Sequence, residues 1–158
     1  MTREEIYTSE AAQVWQAALA QDLFPGDLVV EIARFFLGAP YQAGTLEAPG
    51  PEKLTATLAQ FDCTTFVETV LALTRCVTAG KLSGPQFRKS LKHIRYRGGK
   101  IAGYASRLHY FCDWLGDNEK KKVLRNITAD LGGCARRKKI NFMTTHRALY
   151  AGLKSESA

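Results

Sequence analysis

The sequence has no long apolar run, and this absence excludes the simplest kind of membrane protein. No hydrophobic stretch reaches the roughly 18 consecutive residues that a membrane-spanning helix needs. The first ten residues, MTREEIYTSE, also lack a positively charged region followed by an apolar core, so no secretory leader is visible. Two locations remain open: the cytoplasm, and the outside of the cell after removal of a leader.

Cysteine and histidine are scarce, and they are not spaced for metal binding. The four cysteines, Cys63, Cys76, Cys112 and Cys134, form no C-x-x-C pair and have no histidine at ligand spacing. We therefore expect neither a metal nor any other cofactor. A chain of this size needs no disulfide framework. We predict that Cys76, Cys112 and Cys134 are small buried hydrophobic residues.

Acidic residues are too few to balance the basic ones. Asp and Glu number 15 against 22 Lys and Arg, which leaves a net charge of +7, and the excess falls in two runs, 119–125 and 135–140. Such a run is most often a solvated face, and an anionic polymer such as nucleic acid is the sharper alternative. Because the sequence has no zinc knuckle, helix-turn-helix glycine pattern or aromatic-basic strand motif, we expect no nucleic-acid partner.

What the sequence does contain is the composition of one globular domain. Hydrophobic residues make up 46% and charged residues 23% of 158 residues, so a single domain over 1–158 can bury its own core. Apolar periodicity predicts a mostly helical chain with one or two short strands. The predicted helices cover 10–23, 28–38 (capped by Asp27), 63–80, 85–96, 105–122 (as one helix or as a helix and a turn) and 145–154, and the predicted strands cover 53–60 and 123–133.

Cys63 stands where the predicted helix 63–80 begins. If Asp62 is the N-cap, its carboxylate accepts hydrogen bonds from the backbone amides of Thr64 or Thr65. Cys63 then occupies the first helical position, where unpaired N–H groups and the positive end of the helix dipole favour a thiolate. The same amides could form part of an oxyanion hole. This pattern is typical of a nucleophile.

The local pattern also supports a second interpretation. Thr65 and Glu68 fit a capping box that would start the helix two residues later and leave Cys63 in the preceding loop. On a continuous helix, Cys63 lies three, four and seven residues before Phe66, Val67 and Val70 and shares their apolar face. Taken alone, these residues favour a buried structural cysteine.

A longer stretch around Cys63 carries a family resemblance. A G-x-P-Y loop, a further glycine and the motif D-C-[ST]-x-[FY]-V occupy Gly38, Pro40, Tyr41, Gly44, Asp62, Cys63, Thr64, Phe66 and Val67. This order resembles the active-site motif of NlpC-type cell-wall amidases, which are papain-like cysteine hydrolases with an α+β fold. The finer similarity is to the N-acetylmuramoyl-L-alanine amidase-like branch, and it runs from Phe36 to His146 through FLGAPYQAGTLE, FDCTTFVETVLAL, YRGGKIAGYASRLHYFCDW and KKINFMTTH.

The resemblance implies a cysteine amidase of peptidoglycan fragments. The bond that such an enzyme would cleave is the amide between N-acetylmuramic acid and L-alanine, and the cleavage would proceed through an acyl-enzyme on Cys63. It also implies a muropeptide substrate and a periplasmic or secreted location in a bacterium. The substrate-binding residues that it implies are Tyr41, Asp62, Thr64, Ser106, Arg107 and His109.

One part of the family pattern has no match in this sequence. A papain-like site needs a histidine that deprotonates the thiol and protonates the leaving amine. In the family that histidine lies downstream, on a strand of a β-sheet, and the sequence up to GLKSESA contains no comparable strand. We therefore expect a predominantly α chain, the helical portion of such an amidase, from which the catalytic β-sheet is largely absent. Apolar surface left uncovered in this way would favour a homodimer.

His109 is the histidine of most interest within the chain. Asp113 follows it by four residues on the same predicted helix, a spacing at which a carboxylate can orient an imidazole. We interpret the two residues as a surface pair without a catalytic role and leave a substrate-binding role for His109 open. The alternatives to an amidase are a non-catalytic muropeptide-binding or cell-wall-binding module and, ranked last, a basic helical protein that binds nucleic acid.

Overall fold

Helices provide the regular secondary structure in the residues that the computed structural model describes. These residues are 12, 24–48, 50–134, 136, 138–150 and 152–153, so most of the helix predicted over 10–23 lies outside them. The described helices are α1 (Pro25–Arg34), α2 (Cys63–Thr78), α3 (Gly84–Arg95), α4 (Phe111–Lys120) and α5 (Phe142–Thr145), with 3-10 turns at Arg97–Gly99, Tyr104–Ser106 and Arg147–Leu149.

The two strands predicted from the sequence do not form. Residues 53–60 are irregular, and residues 128–132 make turns. An alternating pattern becomes a strand only where a neighbour supplies a hydrogen-bonded ladder, and among the described residues the only pairings are two isolated bridges. One joins Tyr41 to Phe61, and the other joins Tyr96 to Arg107. The papain-like α+β fold itself stays a prediction.

The described residues form two compact units, which fall within 1–46 with 54–93 and within 47–53 with 94–158. In the first unit α2 packs against α1. Pro25 starts α1, because its fixed φ suits the first helical position, so the prediction that Asp27 caps this helix is wrong and Phe24 is the N-cap. The buried apolar residues of this unit are Leu28, Ile32, Phe36, Leu58, Phe61, Val70, Ala72, Leu73, Cys76, Val77, Phe87 and Leu91.

The core of the second unit combines aromatic side chains with buried polar groups. Asn118 is fully buried and donates from Nδ2 to the Ile94 carbonyl at 3.1 Å, and Lys121 donates from Nζ to the Tyr96 carbonyl at 3.2 Å. The helix predicted over 105–122 begins only at Phe111. The buried apolar residues of this unit are Ile94, Tyr96, Tyr104, Leu108, Trp114 and Met143.

The prediction of three buried structural cysteines is confirmed for one and wrong for two. Cys76 is 1% exposed, but Cys112 and Cys134 are exposed. Cys112 lies on a stretch of α4 whose neighbours Phe111 and Asp113 are also exposed, and Cys134 lies in irregular chain. The spacing of cysteines along the chain does not distinguish a buried cysteine from an exposed one.

None of the described helices is long and apolar enough to cross a membrane.

Candidate active site

The N-terminus of α2 is closed by a reciprocal capping box. Asp62 accepts at Oδ1 from the backbone N–H of Thr64 at 3.0 Å and of Thr65 at 2.7 Å. In return, the hydroxyl of Thr65 accepts from the Asp62 N–H at 2.9 Å. The prediction that Asp62 caps the helix is confirmed. The alternative capping box of Thr65 and Glu68 is wrong, because the helix begins at Cys63 and Glu68 is a buried residue in its second turn.

Cys63 is the first residue of α2, and it is exposed. The interpretation as a buried structural cysteine is therefore wrong for this residue. Helical side chains tilt towards the N-terminus, so a side chain in the first turn extends past the end of the helix, away from the packed surface. Val70, two turns later on the same stripe, is buried, and Phe66 between them is half-buried.

The hydrogen bonds of the first turn leave one amide without an acceptor. The N–H groups of Thr64 and Thr65 bond to the Asp62 side chain, and the N–H of Phe66 bonds to the Asp62 carbonyl at 3.0 Å. In the part of the chain that the structure describes, no group accepts from the Cys63 N–H. The thiol therefore lies beside an available donor at the positive end of the helix dipole.

The loop that carries Tyr41 is bonded to the segment before Cys63. Gln42 donates its N–H to the Phe61 carbonyl at 2.8 Å, and Phe61 donates its N–H to the Pro40 carbonyl at 3.2 Å. Gly38 turns the loop with φ +85°, a conformation that side chains with a Cβ disfavour. This pairing forms an open cleft of about 230 Å³, lined by Phe36, Ala39, Pro40, Tyr41, Phe61, Asp62, Cys63 and Phe66.

The predicted residues Tyr41, Asp62 and Cys63 thus meet at one cleft. Tyr41 is 71% exposed there, so its ring is open to a ligand. Thr64 is exposed on the same turn, with its Oγ1 3.9 Å from the Cys63 Sγ. The residues that line the cleft include no histidine. In the described residues, no group of three or more His, Cys, Asp or Glu side chains is arranged to hold a metal ion.

Ser106, Arg107 and His109 belong to the second unit. The Ser106 hydroxyl serves its own turn, because it donates to the Gly103 carbonyl at 2.6 Å and accepts from the Ala102 N–H at 3.0 Å. The guanidinium of Arg107 lies 4.8 Å from the ring centroid of Tyr104. Arg107 and His109 line a cavity of about 160 Å³, together with Arg97, Tyr104, Ala105, Tyr110, Asp113, Met143, Thr144 and Leu153.

Arg107 is buried, and it lies in a charged network that the sequence did not predict. Its guanidinium is 2.7 Å from a carboxylate oxygen of Glu47 and 3.5 Å from one of Glu52. Tyr104 donates to Glu47 at 2.9 Å, and Tyr96 donates to Glu52 at 2.6 Å. Burial, with the hydrogen bonds to these glutamates, raises the pKa of both tyrosines, so they remain protonated donors. No local pattern marks Glu47 or Glu52, since their partners lie more than 40 residues later.

His109 does not pair with Asp113, and that prediction is wrong. Since α4 begins at Phe111, His109 lies before the helix. A spacing of four residues therefore does not bring His109 and Asp113 to the same helix face. Its Nε2 is 3.0 Å from the Tyr104 carbonyl, whereas Asp113 forms an ion pair with Arg97 at 3.2 Å. Burial lowers the pKa of His109, although the hydrogen bond to Tyr104 partly opposes this effect.

The sequence as a whole identifies the family. The family model for N-acetylmuramoyl-L-alanine amidase-like proteins matches residues 31–158, and the chain therefore belongs to this family. Among curated proteins, none matches the sequence.

Several solved structures are similar to this chain in sequence and in fold. The chain is similar to an N-acetylmuramoyl-L-alanine amidase from Bacteroides uniformis, with 40% identity and a TM-score of 0.77 over 84% of this chain and 55% of that one. A Bacteroides fragilis protein with the provisional name of a xylanase shows 38% identity and a TM-score of 0.73, over 80% and 55% of the two chains. A Legionella pneumophila protein of the DUF1460 family shows 31% identity and a TM-score of 0.60, over 79% and 41%. The chain thus spans about half the length of these proteins.

Proposed function

We propose that the chain is part of an NlpC-type, papain-like cysteine amidase that cleaves the amide bond between N-acetylmuramic acid and L-alanine in peptidoglycan fragments. The observation that carries the proposal is the exposed Cys63 thiol in an open cleft, beside an N–H without an acceptor at the start of α2. A thiol in such surroundings is suited to attack a carbonyl. Membership of the amidase-like family supports the same chemistry.

The proposed reaction is an acyl transfer in two steps. The Cys63 thiolate attacks the carbonyl carbon of the lactyl amide, a C–S bond forms, and the electron pair of the carbonyl moves to its oxygen. The Cys63 N–H donates to that oxyanion. The electron pair of the oxyanion then re-forms the carbonyl, the C–N bond breaks, and the alanine nitrogen takes up, through solvent, the proton that the thiol lost, so that it leaves as a free amine. Water hydrolyses the thioester, which releases the lactyl carboxylate and restores the thiol.

Asp62 and Tyr41 have different parts in this proposal. Asp62 spends one carboxylate oxygen on the cap, so it holds the first turn and the Cys63 N–H in place. Its second oxygen can accept from the substrate. The exposed ring of Tyr41 provides a surface for the muropeptide, and the exposed Thr64 lies at the same turn. A substrate of this kind would place the protein in the periplasm or outside a bacterial cell.

A non-catalytic module that binds muropeptides is the second candidate. It is favoured by one observation, the lack of histidine among the residues that line the Cys63 cleft. A thiol nucleophile in a papain-like site needs such a base to transfer its proton to the leaving amine. A xylanase is less well supported, because glycosidases usually use two carboxyl groups and, among the described residues, Asp62 is the only carboxylate that lines this cleft.

The test is the release of stem peptide from N-acetylmuramoyl peptides, followed by mass spectrometry. We expect Cys63→Ala to reduce turnover by about a thousandfold or more, since removal of a nucleophile removes the covalent route. Cys112→Ala is the matched control, because Cys112 is also exposed but lies on α4, and it should keep turnover. Turnover retained in Cys63→Ala would refute the mechanism. Binding of the peptide without any release would favour the non-catalytic module.

A further inference from the structure

The cavity beside His109 has the features of a binding site for a small ligand. Its volume is about 160 Å³, several times the roughly 30 Å³ that one water molecule occupies in the liquid. It is therefore large enough for one small amino acid. All of the residues that line it belong to the second unit.

The tautomer of His109 follows from its hydrogen bond. Because a carbonyl oxygen can only accept, Nε2 must carry the proton that it donates to the Tyr104 carbonyl at 3.0 Å. The imidazole also lies against the ring of Tyr104, with ring centroids 4.4 Å apart. In the neutral ring, Nδ1 is then an acceptor. Within the described part of the chain, no donor bonds to this nitrogen.

Arg97 is held at the edge of the same cavity. Its guanidinium is 3.2 Å from Asp113, and the neighbouring Gly98 donates its N–H to Asp117 at 3.2 Å. The Arg97 side chain is 55% exposed. Since a guanidinium has five N–H donors and only this one bond is made among the described residues, further donors remain for a ligand.

The hydroxyl of Tyr110 provides one more donor. It accepts from the Met143 N–H at 2.9 Å, and no described group accepts its own proton. The cavity therefore combines two donors, from Arg97 and Tyr110, with one acceptor on His109. The apolar part of the wall comes from the Tyr104 ring and the side chains of Met143 and Leu153, and Arg107, Asp113 and Thr144 complete the polar part.

We propose that this cavity binds a small α-amino acid, either free or as the terminal residue of a short peptide. The carboxylate would accept from Arg97 and Tyr110, and the nitrogen of the same residue would donate to His109 Nδ1. Asp113, paired with Arg97, would add attraction for an ammonium group. A methyl-sized side chain would lie against the apolar wall. Such binding does not depend on the chemistry proposed for Cys63.

The test is a titration of the 158-residue chain with L-alanine and D-alanine, followed by calorimetry and by NMR of the His109 ring nitrogens. We expect at least one enantiomer to bind and to shift the Nδ1 resonance more than that of Nε2. Alaninamide, which lacks the carboxylate, should bind about tenfold more weakly or worse. No binding of either enantiomer up to about 10 mM would overturn the proposal.

Variants separate the proposed contacts from general surface charge. Arg97→Gln should weaken binding of alanine about tenfold or more, because a charge-assisted hydrogen bond is lost. His109→Phe keeps an aromatic ring against Tyr104 but removes Nδ1, and it should also weaken binding. The matched control is Arg125→Gln, since Arg125 pairs with Asp130 at 3.1 Å on the surface and should stay within twofold of the unmodified chain. An unchanged affinity in Arg97→Gln would refute the proposed carboxylate contact. Binding of inorganic phosphate in place of alanine would assign an anion site and refute the amino-acid ligand.

Discussion

The two ends of α2 each place a cysteine in a different environment. Cys63 opens the helix and is exposed, whereas Cys76, in its last turn, is 1% exposed. At the first end, the Asp62 side chain accepts hydrogen bonds from the backbone N–H groups of Thr64 and Thr65. At the second end, Gly80 adopts φ +62° and Lys81 donates its N–H to the Cys76 carbonyl at 2.9 Å, which is a Schellman motif.

The comparison shows that one helix can hold an exposed thiol at one end and a buried thiol at the other. The Cys76 thiol lies in the core, where burial raises its pKa from 9.0 to about 11, and the nearby Arg75 only partly opposes this effect. The Cys63 thiol lies in solvent at the positive end of the dipole. Burial and position along the helix, and not residue type, determine which cysteine is available for chemistry.

The largest expected effect is on alkylation. Peptide mapping after treatment with iodoacetamide at pH 8 should show Cys63 modified and Cys76 protected. With a pKa of about 11, only about one Cys76 side chain in a thousand is a thiolate at that pH, and burial blocks the reagent as well. Cys76 should become reactive only as the pH approaches 11. The exposed Cys112 and Cys134 are internal references. Rates for Cys63 and Cys76 within tenfold of each other at pH 8 would abolish the distinction.

A smaller effect is expected on stability when each thiol becomes a hydroxyl. Cys76→Ser should lower the free energy of unfolding by about 1–3 kcal/mol, because it buries a polar hydroxyl in the apolar surroundings of the thiol. Cys63→Ser should change it by less than about 0.5 kcal/mol, since the side chain stays in solvent. Urea denaturation of the two variants measures the difference. Equal losses would mean that Cys63 is packed as well as Cys76.

The smallest effect is expected when the N-terminal cap of α2 (Asp62) and its C-terminal cap (Gly80) are removed in turn. Asp62→Ala removes the N-cap and should cost about 1 kcal/mol. Gly80→Ala forces a side chain into left-handed backbone at the other end and should cost a similar amount. Only Asp62→Ala should also slow the alkylation of Cys63, because it alone disturbs the first turn. If Gly80→Ala slows that alkylation equally, general loss of stability explains the result, and the cap has no specific role.

Local patterns were sufficient to predict α2 and to give Asp62 as one of two candidate caps. Asp62 followed by an apolar run marks a helix start, and Gly80 marks its end, because both signals depend on residues within one or two turns. The same reasoning was wrong where a partner was required. The alternating residues of 53–60 have a strand pattern, but no described segment pairs with them.

The second unit shows most clearly where prediction from local sequence patterns fails. The helix expected over 105–122 assigned His109 to the same face as Asp113, yet the bridge between Tyr96 and Arg107 and the 3-10 turn at Tyr104–Ser106 delay the helix to Phe111. His109 consequently bonds to a carbonyl, and Asp113 bonds to Arg97. The partners of Arg107 are glutamates that lie 60 and 55 residues earlier, a separation that no periodic pattern reports.

The sequence by itself determined the family motif and a helix that begins close to Cys63, because these depend on neighbouring residues, while the choice between the two possible helix starts came from the structure. Only the tertiary structure decided which cysteines are buried, which carboxylate each cation contacts, and how the Tyr41 loop meets the segment before Cys63. Those features arise from burial and from contacts between residues far apart in the chain. Exposure in particular decides whether the thiol of Cys63 can meet a substrate.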